Sequence, residues 1–131
     1  MLRPQRGALE LDRIAREIVD CAFAVHTAIG PGLLESVYQA CFAEELKSRE
    51  PGFRQQVTLP ILYRSLRLDA GLRLDLLVED SIIVELKSVA KVEPLFKAQL
   101  LSYLRLSGLK LGFLINFNVP LIKEGISRIV L

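Results

Sequence analysis

The chain is poor in the residues from which many metal and redox sites are built, with one histidine, two cysteines, one methionine and no tryptophan. The single histidine, His26, excludes a site made of several imidazoles, and its place near the expected end of a helix favours a structural role. Cys21 and Cys41 lie in apolar helical patterns without CxxC spacing. They favour buried free thiols in a reducing compartment over a disulfide or a zinc site.

Long apolar runs and a strong charge of one sign are missing as well. No window approaches the ~20 uninterrupted apolar residues of a membrane-spanning helix, and no apolar run follows the short basic segment 1–7. The net charge of +2 permits nucleic-acid binding but does not indicate it. We therefore expect a cytoplasmic protein that does not enter a membrane.

Apolar residues, by contrast, are abundant: 51% of the 131 residues are hydrophobic, enough for one compact domain over residues 1–131. Helical spacing predicts helices over 9–29 and 33–49 and a third from Glu93-Pro94 to Gly108. Segment 64–70 is interpreted as a strand or a turn, with Gly71 as a bend or bulge. Strand patterns occupy 53–63, 73–78, 82–87, 110–117 and 126–131.

This order of elements predicts an α/β (α+β) fold in which a mixed central β-sheet is flanked by helices. Two helices come first, then three or four strands, a helix and two more strands. The third helix joins two strands as a parallel crossover, and such crossovers are right-handed in nearly all proteins.

Three charged residues, Asp75, Glu85 and Lys87, interrupt the most apolar, strand-like part of the chain. Because an unpaired charge buried in a core strand costs several kcal/mol, their presence there requires a reason. A three-residue turn at 79–81 would place Asp75 directly opposite Glu85, with Lys87 on the same face. The other face would then be apolar throughout, from Leu72, Leu74, Leu76 and Val78 to Ile82, Val84 and Leu86.

Two opposed carboxylates repel each other, and a divalent cation between them removes the conflict. A salt bridge from Lys87 to Asp75 or Glu85 is the alternative interpretation, although such half-buried pairs seldom improve on apolar side chains. Glu35 lies in the first turn of the second helix. By itself this position favours a simple interaction with the helix dipole.

Asp75 followed by Glu85-x-Lys87 on the next strand resembles the active-site signature of the PD-(D/E)XK nuclease superfamily. Leu74 precedes Asp75 in place of the signature's proline, which is often absent in the superfamily and supplies no ligand. Segment 32–38, with the sequence GLLESVY, resembles the signature of one branch, the GxxExxY family. Segments 99–104 and 112–117 are also similar to that family. The resemblance covers about residues 26–131 and implies a restriction-endonuclease-like core.

The resemblance also implies a metal site. Asp75 and Glu85 would bind Mg²⁺ or Mn²⁺, with the backbone carbonyl of Leu86 and waters completing the ligand shell. Glu35 would join them from its helix, which reverses the simpler interpretation of that residue. Lys87 would position or deprotonate the attacking water, and Gln99 would face the site from the third helix. Tyr103, one turn after Gln99, is interpreted at least as readily as core packing.

We therefore predict a metal-dependent nuclease that acts on nucleic acid, with DNA as the favoured substrate. The alternative is a weakly active or inactive module of the same fold that binds nucleic acid or a protein partner. A toxin-like or repair-associated component acting with a partner is a third interpretation, without direct support in the sequence. The limited surface of so small a domain also favours a homodimer.

Overall fold

The structure, a computed structural model, describes residues 6–131. It contains three α-helices, five β-strands and a short 3₁₀ turn at Ile122–Glu124. The helices are α1 (Ala8–Ile29), α2 (Glu35–Lys47) and α3 (Pro94–Ser107), and the strands are β1 (Phe53–Tyr63), β2 (Leu66–Val78), β3 (Ile82–Lys87), β4 (Leu111–Asn116) and β5 (Ile126–Val130).

The five strands form one sheet in the order β1-β2-β3-β4-β5. Strands β3 and β4 are parallel and are joined by α3, whereas the other neighbouring pairs are antiparallel. The predicted mixed sheet flanked by helices is therefore confirmed, and so is the parallel crossover through α3.

Strand β2 is longer than the sequence pattern indicates, because segment 66–70 belongs to it. Three strands, not four, therefore precede α3. Arg64, with a positive φ of 55°, lies in the tight turn that pairs Tyr63 with Leu66. The predicted irregularity at Gly71 is confirmed: the β1–β2 register shifts between Leu59 and Ile61, and a Cβ on Gly71 would lie 2.4 Å from Cγ1 of Ile61.

Apolar side chains cover both faces of the sheet. One core lies between the sheet and helices α1 and α2, and the other lies beneath α3. The prediction of one continuous apolar face along the hairpin is wrong for Leu72 and Leu74, which pack in the α3 core, whereas Leu76 packs in the α1–α2 core. The change coincides with Gln56 of β1, which has a positive φ of 50°, and with the end of regular β2–β3 pairing at Leu76.

Two predictions about single side chains are confirmed in α1 and α2. Cys21 and Cys41 are free thiols, although only Cys21 is fully buried and Cys41 is half-buried. Burial raises the pKa of Cys21 to about 12, which makes it a poor nucleophile. His26 has a structural role, since its Nε2 lies 2.8 Å from the carbonyl oxygen of Val119. In the part of the chain from residue 6 onward, no helix combines the length and the apolar character needed to cross a membrane.

Replacing Gly125 with alanine is expected to destabilise the fold by about 2–3 kcal/mol, since overpacking of a filled site costs that much. Gly125 is buried between the 3₁₀ turn and β5, and an added Cβ would lie 2.0 Å from the backbone oxygen of Asn116. Denaturant unfolding measures the change. Gly7→Ala is the matched control, because nothing lies within 4 Å of a Cβ at Gly7. Equal losses in the two variants would contradict the prediction.

Candidate active site

The β2–β3 hairpin sets the position of the two central carboxylates. Leu76 pairs with Val84 and Val78 with Ile82, so the predicted three-residue turn is present. Glu79 and Asp80 in that turn have φ values of 54° and 50°. Continuing the same register by one step brings Asp75 opposite Glu85.

At this step the two strands exchange carboxylates in place of backbone pairing. The Asp75 amide donates a hydrogen bond to Oε2 of Glu85 at 2.8 Å, and the Leu86 amide donates one to Oδ2 of Asp75 at 2.9 Å. Each carboxylate is thus held by the backbone of the opposite strand. Because each carboxylate uses one oxygen in this way, both acids are oriented in the gap where the strands separate.

Burial disfavours the ionised form of both acids. Glu85 is only 6% exposed, and burial, followed by the charge of Asp75, raises its pKa to about 8. Burial also raises the pKa of Asp75, although the Leu86 amide and the charge of Lys87 oppose this shift. Near neutral pH the pair therefore still holds a proton, which a pair of solvent-exposed carboxylates would have released.

Glu35 reaches the site from the first turn of α2, behind a loop that Tyr38 holds in place. The Tyr38 hydroxyl donates to the carbonyl oxygen of Gly30 at 2.6 Å and accepts from the Leu33 amide at 3.2 Å. Ser88, just after β3, donates to the Leu33 carbonyl oxygen at 2.6 Å. The start of α2 is thereby tied to the end of β3.

The half-buried Glu35 carboxyl lies within electrostatic reach of the carboxylate pair. Its pKa is raised by burial, lowered by the charge of Lys87 and raised by that of Asp75. The predicted helix-borne acid is therefore near the hairpin site, as a neighbour of the pair.

Lys87 ends β3, where it pairs with Asn116 of β4. Its Nζ lies 4.6 Å from the ring centroid of Phe96 on α3, a cation–π contact that restrains the amine. The charge of Lys87 lowers the pKa values of Glu35, Asp75 and Glu85. The structure thus brings this amine to the same site as the three acids.

The two residues predicted on α3 are placed differently from each other. Gln99 is exposed and its side chain forms no hydrogen bond within residues 6–131, so its role at the site stays a prediction. Tyr103, one turn later, is half-buried against the α3 core. Burial, followed by the charges of Glu85 and Asp75, raises the pKa of Tyr103, so this side chain both packs and lies near the acids.

Comparison with known protein families identifies the origin of this arrangement. The sequence model of the PD-(D/E)XK nuclease superfamily matches residues 12–129, nearly the whole chain. The chain belongs to the PD-(D/E)XK nuclease superfamily. Its members are typically hydrolytic nucleases that use divalent metal ions. No curated protein and no solved structure matches the chain.

The carboxylate pair of this superfamily member fits a divalent cation. No buried side-chain oxygen or nitrogen in residues 6–131 lacks a hydrogen-bond partner, so the second oxygen of Glu85, which forms no hydrogen bond, lies on the side open to solvent. Carboxylate oxygens are the donors that Mg²⁺ and Mn²⁺ prefer. A bound cation would also stabilise the ionised form of Glu85 and relieve the repulsion from Asp75.

The acids do not all converge to the same degree. Within the described part of the chain, no group of three or more acidic, histidine or cysteine side chains is close enough to hold one metal ion. Asp75 and Glu85 are joined through each other's backbone, whereas Glu35 is linked to them only through its charge. Direct ligation by Glu35, like that by the Leu86 carbonyl, stays a prediction.

Sequence reasoning missed Gln39, which lies one turn after Glu35 on α2. Its side chain lowers the pKa of the Asp75 carboxyl, and its Oε1 accepts a hydrogen bond from Gln56 of β1 at 3.0 Å. The i, i+4 spacing from Glu35 was the available signal, because side chains four apart share a helix face. Asn116 was also missed as a support: its side chain binds the amide and the carbonyl oxygen of Val89, which fixes the loop after Lys87.

The raised pKa of Glu85 predicts that the metal-free protein loses stability as the pH rises. The folded state holds its proton up to about pH 8, whereas the unfolded chain releases it near the ordinary value of 4.5. The contribution of the protonated acid is therefore complete below pH 4.5 and lost as the pH passes 8. Asp75 and Glu35, whose pKa values are also raised, change stability in the same direction.

Denaturant unfolding in EDTA tests this at pH 6 and pH 9, where a loss on the order of 2 kcal/mol is expected. Glu85→Gln should flatten the profile, because the amide has no proton to release, and Mn²⁺ should restore stability at the higher pH. A wild-type profile as flat as that of Glu85→Gln would contradict the assigned shift.

Proposed function

We propose that the protein is a Mg²⁺- or Mn²⁺-dependent nuclease that hydrolyses phosphodiester bonds in nucleic acid, with DNA as the favoured substrate. The observation that carries this proposal is the pair of hydrogen bonds by which the Asp75 and Glu85 carboxylates each accept from a backbone amide of the opposite strand, β3 or β2. Lys87 lies at the end of β3, beside this pair. A salt-bridged surface pair would not need two carboxylates inserted into the sheet.

The proposed roles divide between binding the cation and moving the proton. Asp75 and Glu85 hold the cation, the Leu86 carbonyl adds a ligand, and Glu35 binds through its carboxylate or through an ordered water. When bound, the cation polarises the phosphate and lowers the pKa of a water molecule. Lys87 orients that water and stabilises the charge that develops on the phosphate oxygens. Gln99 orients the substrate from the exposed face of α3.

We further propose that the chain belongs to the GxxExxY branch of the superfamily. The three residues of that signature have separate structural roles in support of this. Gly32 adopts a positive φ of 90°, which glycine tolerates. Glu35 begins α2 beside the hairpin, and Tyr38 closes the intervening loop with its hydroxyl while its ring stacks on Phe117 at 4.5 Å.

The second candidate is a module of the same fold that binds nucleic acid or a protein without cutting. One observation favours it: within residues 6–131 no group of three acidic, histidine or cysteine side chains is close enough to hold one metal ion. Such a module would bind nucleic acid equally well after Asp75 is replaced.

Three further proposals concern the number of domains, the cellular location and the oligomeric state. We propose that residues 1–131 act as one domain in the cytoplasm, which the two free thiols support because they suit a reducing compartment. A homodimer would enlarge the limited surface that one such domain offers to a duplex.

The deciding experiment combines cleavage with metal binding. Purified protein is incubated with plasmid, linear and single-stranded DNA and with RNA, in Mg²⁺, in Mn²⁺ and in EDTA, while calorimetry measures Mn²⁺ uptake. Cleavage that requires the cation, with DNA cut fastest, is the expected result. No cleavage of any substrate, together with no Mn²⁺ binding that depends on Asp75 and Glu85, would overturn the enzyme proposal. DNA binding that survives Asp75→Ala without cleavage would favour the module.

A further inference from the structure

A chain of side-chain hydrogen bonds runs from Arg73, on the surface of the β1–β2 hairpin, to Gln39, which lies beside Asp75. Arg73 donates from Nε to Oε1 of Gln56 at 2.9 Å, and Gln56 donates from Nε2 to Oε1 of Gln39 at 3.0 Å. Gln56 lies opposite Asp75 in the β1–β2 register, between the pairs Gln55–Leu76 and Val57–Leu74. Gln39 is thereby brought next to the Asp75 carboxyl, whose pKa it lowers. Three elements, β1, α2 and β2, are linked by this chain.

The two ends of the chain fix its direction. A guanidinium can only donate, so Gln56 must turn its oxygen toward Arg73 and its amide nitrogen toward Gln39. Gln39 therefore accepts with its oxygen and turns its own NH₂ group toward Asp75. An ionised carboxylate can only accept, so it completes the series without a mismatched group. Every amide in the chain is oriented to donate toward Asp75.

The position of Gln39 on α2 makes this contact specific. Gln39 is half-buried and lies four residues after Glu35, so both side chains project from one face of the helix toward the hairpin. Its partner Gln56 holds a backbone φ of 50°, which is unusual for a residue other than glycine in a strand. Structures retain such a conformation mostly where a site requires it.

We propose that Gln39 is a positioning residue for the metal ligand Asp75, and that Gln56 and Arg73 orient Gln39 for this task. This inference rests on the proposed function, because it assigns Asp75 to the cation. The Leu86 amide binds one oxygen of Asp75, and Gln39 lies beside the same carboxylate, so both orient the carboxylate before the cation arrives. Residues that support a metal ligand without touching the metal typically contribute about 10–100-fold to metal affinity.

Three methionine substitutions test the inference by calorimetric Mn²⁺ titration. Methionine preserves the length of glutamine but cannot donate a hydrogen bond. We expect Gln39→Met to weaken Mn²⁺ binding about 10–100-fold. Gln56→Met should weaken it less, because the exposed outer link can be replaced by water. Gln55→Met is the matched control, since the exposed Gln55 neighbours Gln56 on β1 and forms no side-chain hydrogen bond within residues 6–131.

Cleavage assays separate positioning from general damage to the fold. In Gln39→Met the Mn²⁺ concentration for half-maximal cleavage should rise, while turnover at saturating Mn²⁺ should return to the wild-type value. A variant that is simply misfolded would not recover in this way. If Gln39→Met fails to fold, Gln56→Met decides the question, because Gln56 is exposed and its loss leaves both cores intact.

The outcomes distinguish this inference from the proposed function. Wild-type affinity in Gln39→Met, or an equal loss in Gln55→Met, would overturn the positioning role alone. A loss in Gln39→Met with no change in Gln56→Met would support Gln39 and overturn the part assigned to Gln56 and Arg73. A wild-type protein that takes up no Mn²⁺ would overturn both the inference and the metal-dependent function.

Discussion

Replacing Asp75 with asparagine is expected to abolish Mn²⁺ binding and cleavage together while leaving the metal-free fold at least as stable as the wild type. Asparagine has nearly the same shape, and its side-chain oxygen can still accept from the Leu86 amide. It lacks the negative charge that attracts the cation. Removal of a residue that only supports a metal ligand lowers metal affinity about 10–100-fold, and the loss of Mn²⁺ affinity in Asp75→Asn should be larger than that.

The expected stability of this variant follows from the same contacts. The charge of Asp75 is one of the causes that raise the pKa of Glu85, so its removal eases the ionisation of Glu85. Metal-free Asp75→Asn should therefore unfold at the same or a higher denaturant concentration, particularly above pH 8. A lower midpoint would mean that the carboxylate stabilises the strands more than it repels Glu85.

Asp69→Asn is the matched control for this experiment, because Asp69 lies on the same strand and its side chain is 84% exposed in a contact with Arg67. It should bind Mn²⁺ and cut as the wild type does. Calorimetry and cleavage are measured on the same preparations. Unchanged Mn²⁺ affinity in Asp75→Asn would contradict the assignment of this residue as a ligand.

Replacing Lys87 with methionine should separate the two functions that Asp75→Asn removes together. The amine is proposed to act on the water and the phosphate, not on the cation, so Mn²⁺ binding should persist. Turnover should fall about 10²–10⁴-fold, the contribution typical of a positioned acid or base. Methionine keeps the apolar stem that packs near Phe96, which limits the effect on the fold.

The pH dependence gives a second measure of the role of Lys87. Its charge lowers the pKa values of Asp75 and Glu85, so without it both acids should hold their protons to a higher pH. Mn²⁺ binding by Lys87→Met should accordingly require a higher pH than binding by the wild type. Lys91→Met, at an exposed position in the following loop, is the control. Wild-type turnover in Lys87→Met would remove its assigned role.

The hairpin illustrates what local sequence rules can predict. The length of the turn and the alternation of side chains were sufficient to place Asp75 opposite Glu85, and the register of Leu76 with Val84 agrees with that derivation. Those rules do not predict that the carboxylates turn toward the neighbouring backbone. Regular alternation assumes a ladder that continues unbroken, and the ladder ends at this step. The same assumption explains the wrong face assigned to Leu72 and Leu74.

The contributions from the helices depended on contacts between residues far apart in the chain. Glu35 had a sufficient explanation in the dipole of its own helix, and only the resemblance to a family placed it near the hairpin. Gln39 could not be singled out, because its side chain interacts with Gln56 and Asp75, which lie 17 and 36 positions further along the chain. Short-range patterns contain no information about such pairs.

The exchange of hydrogen bonds between Asp75 and Glu85 also provides spectroscopic reporters within the site. The amide protons of Asp75 and Leu86 point at carboxylate oxygens, so their NMR chemical shifts follow the charge on those oxygens. Titration of Glu85 near pH 8 should move the Asp75 amide signal. Addition of diamagnetic Mg²⁺ should move both signals without any attached label. Two backbone resonances thus follow the protonation and the occupancy of the centre while the chain remains unmodified.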